Sequence, residues 1–199
     1  MDLHFFLRSR RSVRRFKPIP IPDSVIRKII TTATFAPSAH NRQPWRFAVT
    51  SEAAVKSDLA DAMAVDFRRD LENDNLSEDE INDRLEKSRA RIIFSPVIIL
   101  LCMDVSEMDV YPDARRAEAE RIMAIQSTAN AGLQMLLAVH AEGLAGVWTC
   151  APLFTPEIVR NFFNLPKSWE PQAMFFIGYP AESPKPRARK TFEEIIQYL

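Results

Sequence analysis

At 199 residues the chain is long enough for one domain with a sizeable core, and its 47% hydrophobic and 26% charged content is typical of ordinary globular proteins. Its 26 basic and 26 acidic side chains cancel, which argues against nucleic acid or an acidic membrane as a partner. We therefore expect one domain over residues 1–199. A basic cluster within it would bind a discrete anionic group rather than a polyanion.

The predicted elements begin with helices and place most strands late in the chain. Hydrophobic periodicity and helix-end signals predict helices over 3–9, 23–35, 53–63, 77–93, 113–141 and 155–163, and strands over 45–50, 96–103, 146–149 and 172–179. Apolar residues surround most of the long helix 113–141, so we expect it to be buried on nearly all sides, either centrally or against a second subunit. This order of elements predicts an α+β sandwich.

Cysteine and histidine give no chemical site in the sequence. Cys102 and Cys150 lie in apolar runs, which predicts buried free thiols in a reducing compartment. The three histidines lack metal-ligand spacing, so we expect no metal site and predict surface or packing roles for His4, His40 and His140.

The N-terminal residues give no leader signal. They lack an apolar stretch followed by a small-residue cleavage site, and the longest strongly apolar run, over 97–103, is too short to cross a bilayer. These observations predict a cytoplasmic protein.

An arginine-rich segment at 10–16 (RRSVRRF) is the first candidate binding feature. Arg10, Arg11 and Arg14, with the Ser12 hydroxyl, offer closely spaced donors whose planar forks match phosphate oxygens. The four glycines form neither a dinucleotide-binding fingerprint nor a P-loop, so a bound phosphate would depend on arginines. A second basic group could close on the same phosphate from the tail: Lys185, Arg187, Arg189 and Lys190. The alternative is a solvated basic face.

A proline-framed loop at 36–45 (APSAHNRQPW) is the second feature. Its short side chains would let the backbone approach the edge of a ring, and Ser38 and Asn41 add hydrogen-bonding groups. An ordinary helix-to-strand turn is the alternative, and Trp45 and Trp148 could flank a ring or simply pack in the core. Together the two features favour an anionic, planar, polyhydroxylated ligand such as flavin mononucleotide (FMN), which would itself carry hydride chemistry.

Four stretches in this order resemble the nitroreductase family of FMN-dependent oxidoreductases: RRSVRRF at 10–16, APSAHNRQPWRF at 36–47, GLAGVWTC at 143–150 and FFIGYPAESPKPRARK at 175–190. The resemblance implies a sandwich with a central mixed sheet flanked by helices. It also implies a homodimer with two FMN sites at the subunit interface. The residues that would hold the phosphate and ribityl chain are Arg10, Arg11, Ser12 and Arg14.

The resemblance assigns the rest of the cofactor site to three further segments. From the other subunit would come Pro37, Ser38, Ala39 and Asn41. Arg189, with Arg187, would return from the tail to the phosphate, and the backbone at Trp148 and Thr149 would face the reactive edge of the flavin. The sequence departs from many family members there, because it has Val-Trp-Thr-Cys where a glycine often follows.

Three shorter stretches, at 111–116, 151–154 and 169–171, resemble the nitroreductase-like C-terminal domain of coenzyme F-420 glutamyl ligase, which acts on a deazaflavin precursor. This resemblance suggests a shared substrate. Arg115 and Arg116 could meet its anionic tail, although an exposed helix start explains them equally well.

The predicted function is an FMN-dependent oxidoreductase that passes hydride from NADH or NADPH through FMN to a small aromatic acceptor with ping-pong kinetics. The acceptor would be a nitroaromatic, a quinone or a deazaflavin precursor. The alternatives are a non-catalytic flavin or deazaflavin carrier, a nucleic-acid binder that uses the arginines, and a flavin-fragmenting or dehalogenating enzyme of the same fold. Neutral net charge argues against the nucleic-acid binder.

Overall fold

The computed structural model of the protein describes residues 2–184 and 186–199. Its helices and strands follow the order α1 Leu3–Ser9, α2 Asp23–Ala33, β1 Trp45–Thr50, α3 Ala53–Asn73, α4 Glu78–Ile93, β2 Val97–Asp104, α5 Ala114–Ala141, β3 Ala145–Thr149, α6 Pro156–Phe162 and β4 Trp169–Gly178. Every helix and strand predicted from the sequence is present, and α3 differs most from its predicted bounds.

One sheet forms the centre of the described chain. Its strand order is β1-β2-β4-β3, and every neighbouring pair is antiparallel. The α+β class is confirmed, but the sheet is antiparallel rather than mixed, because connections such as α6 return the chain to the end of the sheet that it has just left. The parallel pairing in the described residues is one isolated bridge between Ser12 and Gly146.

Helices cover both faces of this sheet. Successive residues of β2 point to opposite faces, and all eight are buried, as predicted for a central strand. Leu101 packs in a cluster with Ile29 of α2 and Met135 of α5. The neighbouring Leu100 packs on the other face with Leu59 of α3. The chain is therefore a sandwich whose sheet lies between two helical layers.

The helical hairpin α3–α4 is longer than the sequence indicated. We predicted that the first helix would end at residue 63 and that an exposed stretch would follow, but α3 continues to Asn73 and buries Leu71. The sequence did not indicate these last turns of α3 because their surface is polar. Ion pairs such as Arg68–Glu78, at 2.8 Å, lie there. The predicted capping box of α4 is confirmed, with Ser77 N donating to Glu80 Oε2 at 3.0 Å.

Helix α5 leaves one apolar face open. Ala131 and Met135 are fully buried, whereas Ile122 and Leu133 are 45% and 53% exposed. The predicted burial on nearly all sides is therefore wrong for the single chain, because α2 and the sheet cover only part of the helix circumference.

The length and apolar character of α5 would also suit a membrane crossing. Its most apolar 18-residue window has a mean hydropathy of 1.3, and half of that window is buried within the fold. Such burial is typical of a core helix, and the packing of α5 on the sheet explains its hydropathy without a bilayer.

The two cysteines have different environments. Cys102 is buried in β2, and burial raises the pKa of its thiol to about 12. Cys150 is exposed, because β3 ends at Thr149 and the chain then turns onto the surface. The prediction of a buried thiol is confirmed for Cys102 and wrong for Cys150.

Helix α6 begins at Pro156, as predicted, but the preceding residue does not cap it. Thr155 makes no side-chain capping bond, and its Oγ1 is buried without a hydrogen-bond partner in the described residues. The predicted cap at Thr155 is therefore wrong, because the hydroxyl turns away from the first turn of the helix.

Gly132 allows α5 to approach β3. A Cβ at this position would lie 2.9 Å from Cη2 of Trp148, closer still to Cζ3, and 3.1 Å from Cδ2 of Leu101. The Trp148 ring is held from its other side by an edge-on contact with Phe175 at 4.9 Å. Only glycine therefore fits where the helix meets this ring.

We predict that Gly132→Ala destabilises the protein by about 1–3 kcal/mol, the usual cost of overpacking a core. The same change in an open helical position stabilises by roughly 0.5–1 kcal/mol, so the sign of the effect is diagnostic. Urea unfolding followed by circular dichroism measures it. An increase in the free energy of unfolding would contradict the close approach.

Candidate functional site

The arginine-rich segment is fixed along the edge of the sheet. Ser12 bridges to Gly146 of β3, and Val13 N donates to Gly146 O at 3.3 Å. Lys17 N donates to Tyr179 O at 2.8 Å, just beyond the end of β4. Val13 is 4% exposed and anchors the segment in the core, whereas its neighbours Ser12 and Arg14 are exposed. The segment is thus a fixed extended strand that carries donors outward.

Arg10 is a half-buried cation without an acidic partner. Its Nη1 is buried and has no hydrogen-bond partner among the described residues. Burial lowers the pKa of Arg10, and the nearby charges of Arg11 and Arg189 lower it further. A half-buried guanidinium beside two like charges favours a bound anion, because taking an unpaired charge out of water costs free energy.

A cleft of about 320 Å³ opens beside this cation. It lies between the arginine segment, the turn from α5 into β3 and the segment after β4, and its lining includes Arg10, Arg11, His140, Gly146 and Pro180. Its size is at the lower end of small-molecule sites. The cleft suits the charged end of a ligand better than a whole nucleotide.

His140 supports the wall of this cleft. Its Nε2 lies 2.8 Å from Ser9 Oγ, and its ring stacks on Phe6 with 4.8 Å between centroids. Burial lowers the pKa of His140, and the Arg10 charge lowers it further. Through these two contacts the imidazole holds α1 against the C-terminal end of α5.

Part of the basic tail lies near the arginine-rich segment. Arg187 and Arg189 are exposed, as is Lys190, and Arg189 lies near enough to act on Arg10. Lys185 lies outside the described residues. Arg189 and Arg11 are thus both near enough to Arg10 for their charges to interact with it.

The proline-framed loop has a strained and well-anchored backbone. His40, Asn41 and Gln43 adopt left-handed conformations with φ of 51°, 54° and 52°. Such residues persist only where their surroundings fix them, and they are frequent at ligand sites. The loop therefore has a shape that its sequence alone would not favour.

Helix α5 supplies the anchors of this loop. Ala39 N donates to Ser127 Oγ at 3.0 Å, and Asn130 Nδ2 donates to Pro37 O at 3.3 Å. Within the loop, Gln43 N donates to Ser38 Oγ at 3.1 Å. Sequence analysis missed Ser127 and Asn130, which lie three residues apart and so on one side of α5; other polar residues of the helix, such as Gln126 and Thr128, gave them no distinct signal.

The loop and the arginine segment lie apart along α5. The loop is anchored at Asn130, whereas the arginine cleft is beside His140. Ten helical residues separate these positions, which corresponds to about 15 Å along the axis. Within one chain, the two predicted halves of the site are therefore well separated.

Trp148 and Thr149 have their side chains engaged within the fold. The Trp148 ring packs on α5, and its Nε1 donates to Cys150 Sγ at 3.2 Å. Thr149 Oγ1 donates to Met174 O at 2.9 Å. Because β3 is an edge strand, the backbone at its outer side is what this part of the chain presents to a ligand.

One cluster of possible metal ligands brings together residues that are distant in sequence. Ligand atoms of His40, Asp109 and Glu120 all lie within 4.8 Å of one another. Asp109 already pairs with Arg42, and its backbone N donates to Glu120 Oε1 at 3.2 Å. The spacing of the histidines did not predict this cluster, and one of its two carboxylates is already paired with the guanidinium of Arg42.

Arg115 and Arg116 lie at the first turn of α5. Arg116 pairs with Asp113, the N-cap residue, and its guanidinium lies 4.9 Å from the centroid of the Tyr111 ring. Arg115 is exposed. For Arg116 the geometry is that of an exposed helix start, one of the two interpretations of the sequence.

Known proteins are similar to this chain, in sequence and in fold, over nearly its whole length. The sequence profile of the family named Nitroreductase matches residues 7–179. An NADH dehydrogenase of Thermus thermophilus is 27% identical over 211 aligned residues, which cover 94% of this chain and 91% of that protein.

Solved structures extend the comparison to three dimensions. A BluB-like flavoprotein of Clostridium difficile 630 has a TM-score of 0.79 at 24% identity, covering 100% of this chain and 99% of its own. An FMN-dependent nitroreductase of Clostridium difficile R20291 has a TM-score of 0.71 at 17% identity, covering 98% of both chains. The sequence match includes the arginine segment and the proline-framed loop and ends just beyond β4, and on this basis the chain belongs to the nitroreductase family.

Proposed function

We propose that the protein is an FMN-dependent oxidoreductase whose flavin phosphate binds at Arg10, Arg11 and Arg189. The observation that carries the proposal is the buried, unpartnered Nη1 of Arg10 amid two further cations. Arg11 Nη1 already donates to Arg10 O at 2.9 Å, but no carboxylate pairs with Arg10 or Arg11 in the described residues. A phosphate monoester would supply nearly two negative charges there. Ser12 and Arg14 on the same extended strand would bind the ribityl side, and Arg187 would assist from the tail.

The second half of the flavin site comes, in this proposal, from a partner subunit. Pro37, Ser38, Ala39 and Asn41 lie about 15 Å along α5 from the arginine cleft of their own chain. A homodimer would bring the loop of one chain to the arginines of the other. The open apolar face of α5, with Ile122, Ile125 and Leu133 exposed, offers surface for that contact.

The chain's own residues would position the cofactor rather than perform acid–base chemistry. Bound FMN would supply hydride acceptance and donation. The edge-strand backbone at Trp148 and Thr149 would orient the ring, and the strained loop would press its backbone against the other edge. Polar groups fixed in this way need little reorganisation during the reaction.

NADH or NADPH would be the electron donor, and the same pocket would then admit the acceptor. The relative named NADH dehydrogenase supports a nicotinamide donor. We propose nitroaromatics, quinones or a deazaflavin precursor as acceptors, the last on the stretches at 111–116, 151–154 and 169–171. Two free cysteines agree with a reducing, cytoplasmic location.

We predict that the double variant Arg10→Gln/Arg11→Gln binds FMN at least about tenfold more weakly, since each lost charge-assisted bond contributes roughly 1.5–3 kcal/mol. Titration of FMN fluorescence against the apoprotein measures the dissociation constant. The melting temperature of the apoprotein should not fall in the single variant Arg10→Gln, because this change removes a half-buried cation whose Nη1 is unpartnered in the described residues. A purely structural role of Arg10 would lower it.

Arg27→Gln is the matched control. Arg27 is an exposed arginine of α2 that does not line the cleft. This variant should bind FMN as the unchanged protein does. Equal FMN affinity in the double variant and in this control would contradict the phosphate assignment.

A separate prediction concerns turnover. The FMN-loaded protein should oxidise NADH or NADPH in the presence of a nitroaromatic or quinone, and double-reciprocal plots at several acceptor concentrations should be parallel, because donor and acceptor would occupy one pocket in turn. Stopped-flow bleaching of the flavin by the donor alone checks the first half-reaction. A protein that retains FMN but is not reduced by either nicotinamide would be a flavin carrier instead.

A further inference from the structure

A second and larger cleft lies beside the end of β3. It has a volume of about 690 Å³ and is enclosed by the α3–α4 hairpin and by the segment from Ala151 to Thr155. Ala151 follows Thr149 by two residues, so the cleft opens next to the strand end at which the proposed flavin edge would lie. It is within the size range of sites for small molecules.

Two phenylalanines line this cleft. Phe67 comes from α3 and is half-buried, and Phe154 comes from the segment after β3 and is 73% exposed. Such exposure is unusual for so large an apolar side chain and gives its ring little packing within the chain. Aromatic walls of this kind bind planar rings through offset or edge-on stacking.

Two arginines of the cleft lie on its α4 wall. Arg84 is near enough to Glu80 for their charges to interact, although the two form no ion pair. Arg84 and Arg91 lie two turns apart on one face of α4 and make neither an ion pair nor a side-chain hydrogen bond within residues 2–184 and 186–199. Other cations of the hairpin are paired, as Arg89 is with Asp61 at 2.9 Å.

The other charged side chains of the lining balance these two arginines in number but lie on another wall of the cleft. Lys87 is paired with Asp83 at 2.5 Å, whereas Asp70 lies 4.0 Å from Arg69. Asp74 is the other carboxylate of the lining. Because Asp83 already neutralises Lys87, Arg84 and Arg91 face Asp70 and Asp74, and the cleft is neutral in sum. Both arginines lie on its α4 side, which favours an anionic group there.

Thr155 adds an independent sign of a ligand. It is 4% exposed and lines the cleft, and its Oγ1 has no hydrogen-bond partner in the described part of the chain. A buried hydroxyl without a partner costs free energy unless something else bonds it. A polar atom on a bound ligand would satisfy this hydroxyl.

We infer that this cleft selects small aromatic acids as acceptors, with the ring between Phe67 and Phe154 and the acid group at Arg84 and Arg91. The inference rests on the proposed function, because it places the opposite end of the acceptor toward the flavin edge. For a nitroaromatic acid, NADPH and one proton would reduce the nitro group to a nitroso group, releasing NADP⁺ and water.

The test compares 4-nitrobenzoate with its neutral isostere 4-nitrobenzamide as acceptors of the FMN-loaded protein. We expect kcat/KM to be higher for the benzoate. In Arg84→Gln/Arg91→Gln it should fall about tenfold or more for the benzoate and less than about twofold for the benzamide. Arg27→Gln, which removes one charge outside the cleft, should leave the ratio of kcat/KM for the benzoate to kcat/KM for the benzamide unchanged.

Equal losses for both acceptors, or no loss for the benzoate, would overturn the inference. If the unaltered protein reduces neither acceptor, the proposed function fails. Calorimetric measurement of 4-nitrobenzoate binding then tests separately whether the cleft binds an aromatic acid. Binding that disappears in the double variant but persists in Arg27→Gln would support the cleft. Binding that is absent in the unaltered protein, or equal in all three proteins, would overturn it.

Discussion

The proposed cofactor site depends on one electrostatic constraint: Arg10 is half-buried, and its Nη1 has no hydrogen-bond partner in the described residues. Val13 inserts into the core and fixes the segment that carries Arg10 and Arg11. Arg189 lies near the same point, and the pKa of Arg10 is lowered by burial and by the charges of Arg11 and Arg189. The fold holds these cations together at a cost that a bound phosphate would offset.

Helix α5 connects this constraint to the rest of the molecule. Its middle anchors the proline-framed loop through Ser127 and Asn130, and its C-terminal end forms part of the arginine cleft. Between them, Gly132 admits the Trp148 ring and so fixes the strand that precedes Cys150. One straight helix thus sets the spacing between loop and arginines, and this spacing is the reason that the proposed site needs two chains.

Local signals in the sequence predicted much of the fold. Strand β1 and helix α1 have the predicted bounds, and the Ser77–Glu80 capping box is present, because each depends on neighbouring residues. Residues distant in sequence were harder to predict. Leu71, Cys150 and the open face of α5 depend on tertiary packing, which no single-sequence period encodes.

For the candidate site too, local features could be predicted from the sequence and tertiary ones could not. The arginines and the loop were predicted as segments, but the strained φ values, the anchors on α5 and the unpartnered Arg10 Nη1 are visible only in three dimensions.

The most direct test of the central claim is an absorbance spectrum of the freshly purified protein, with mass analysis of the chromophore released by heat. The account predicts a yellow protein that releases about one FMN per chain, as a single built phosphate site requires. A colourless protein that takes up no added FMN would contradict it.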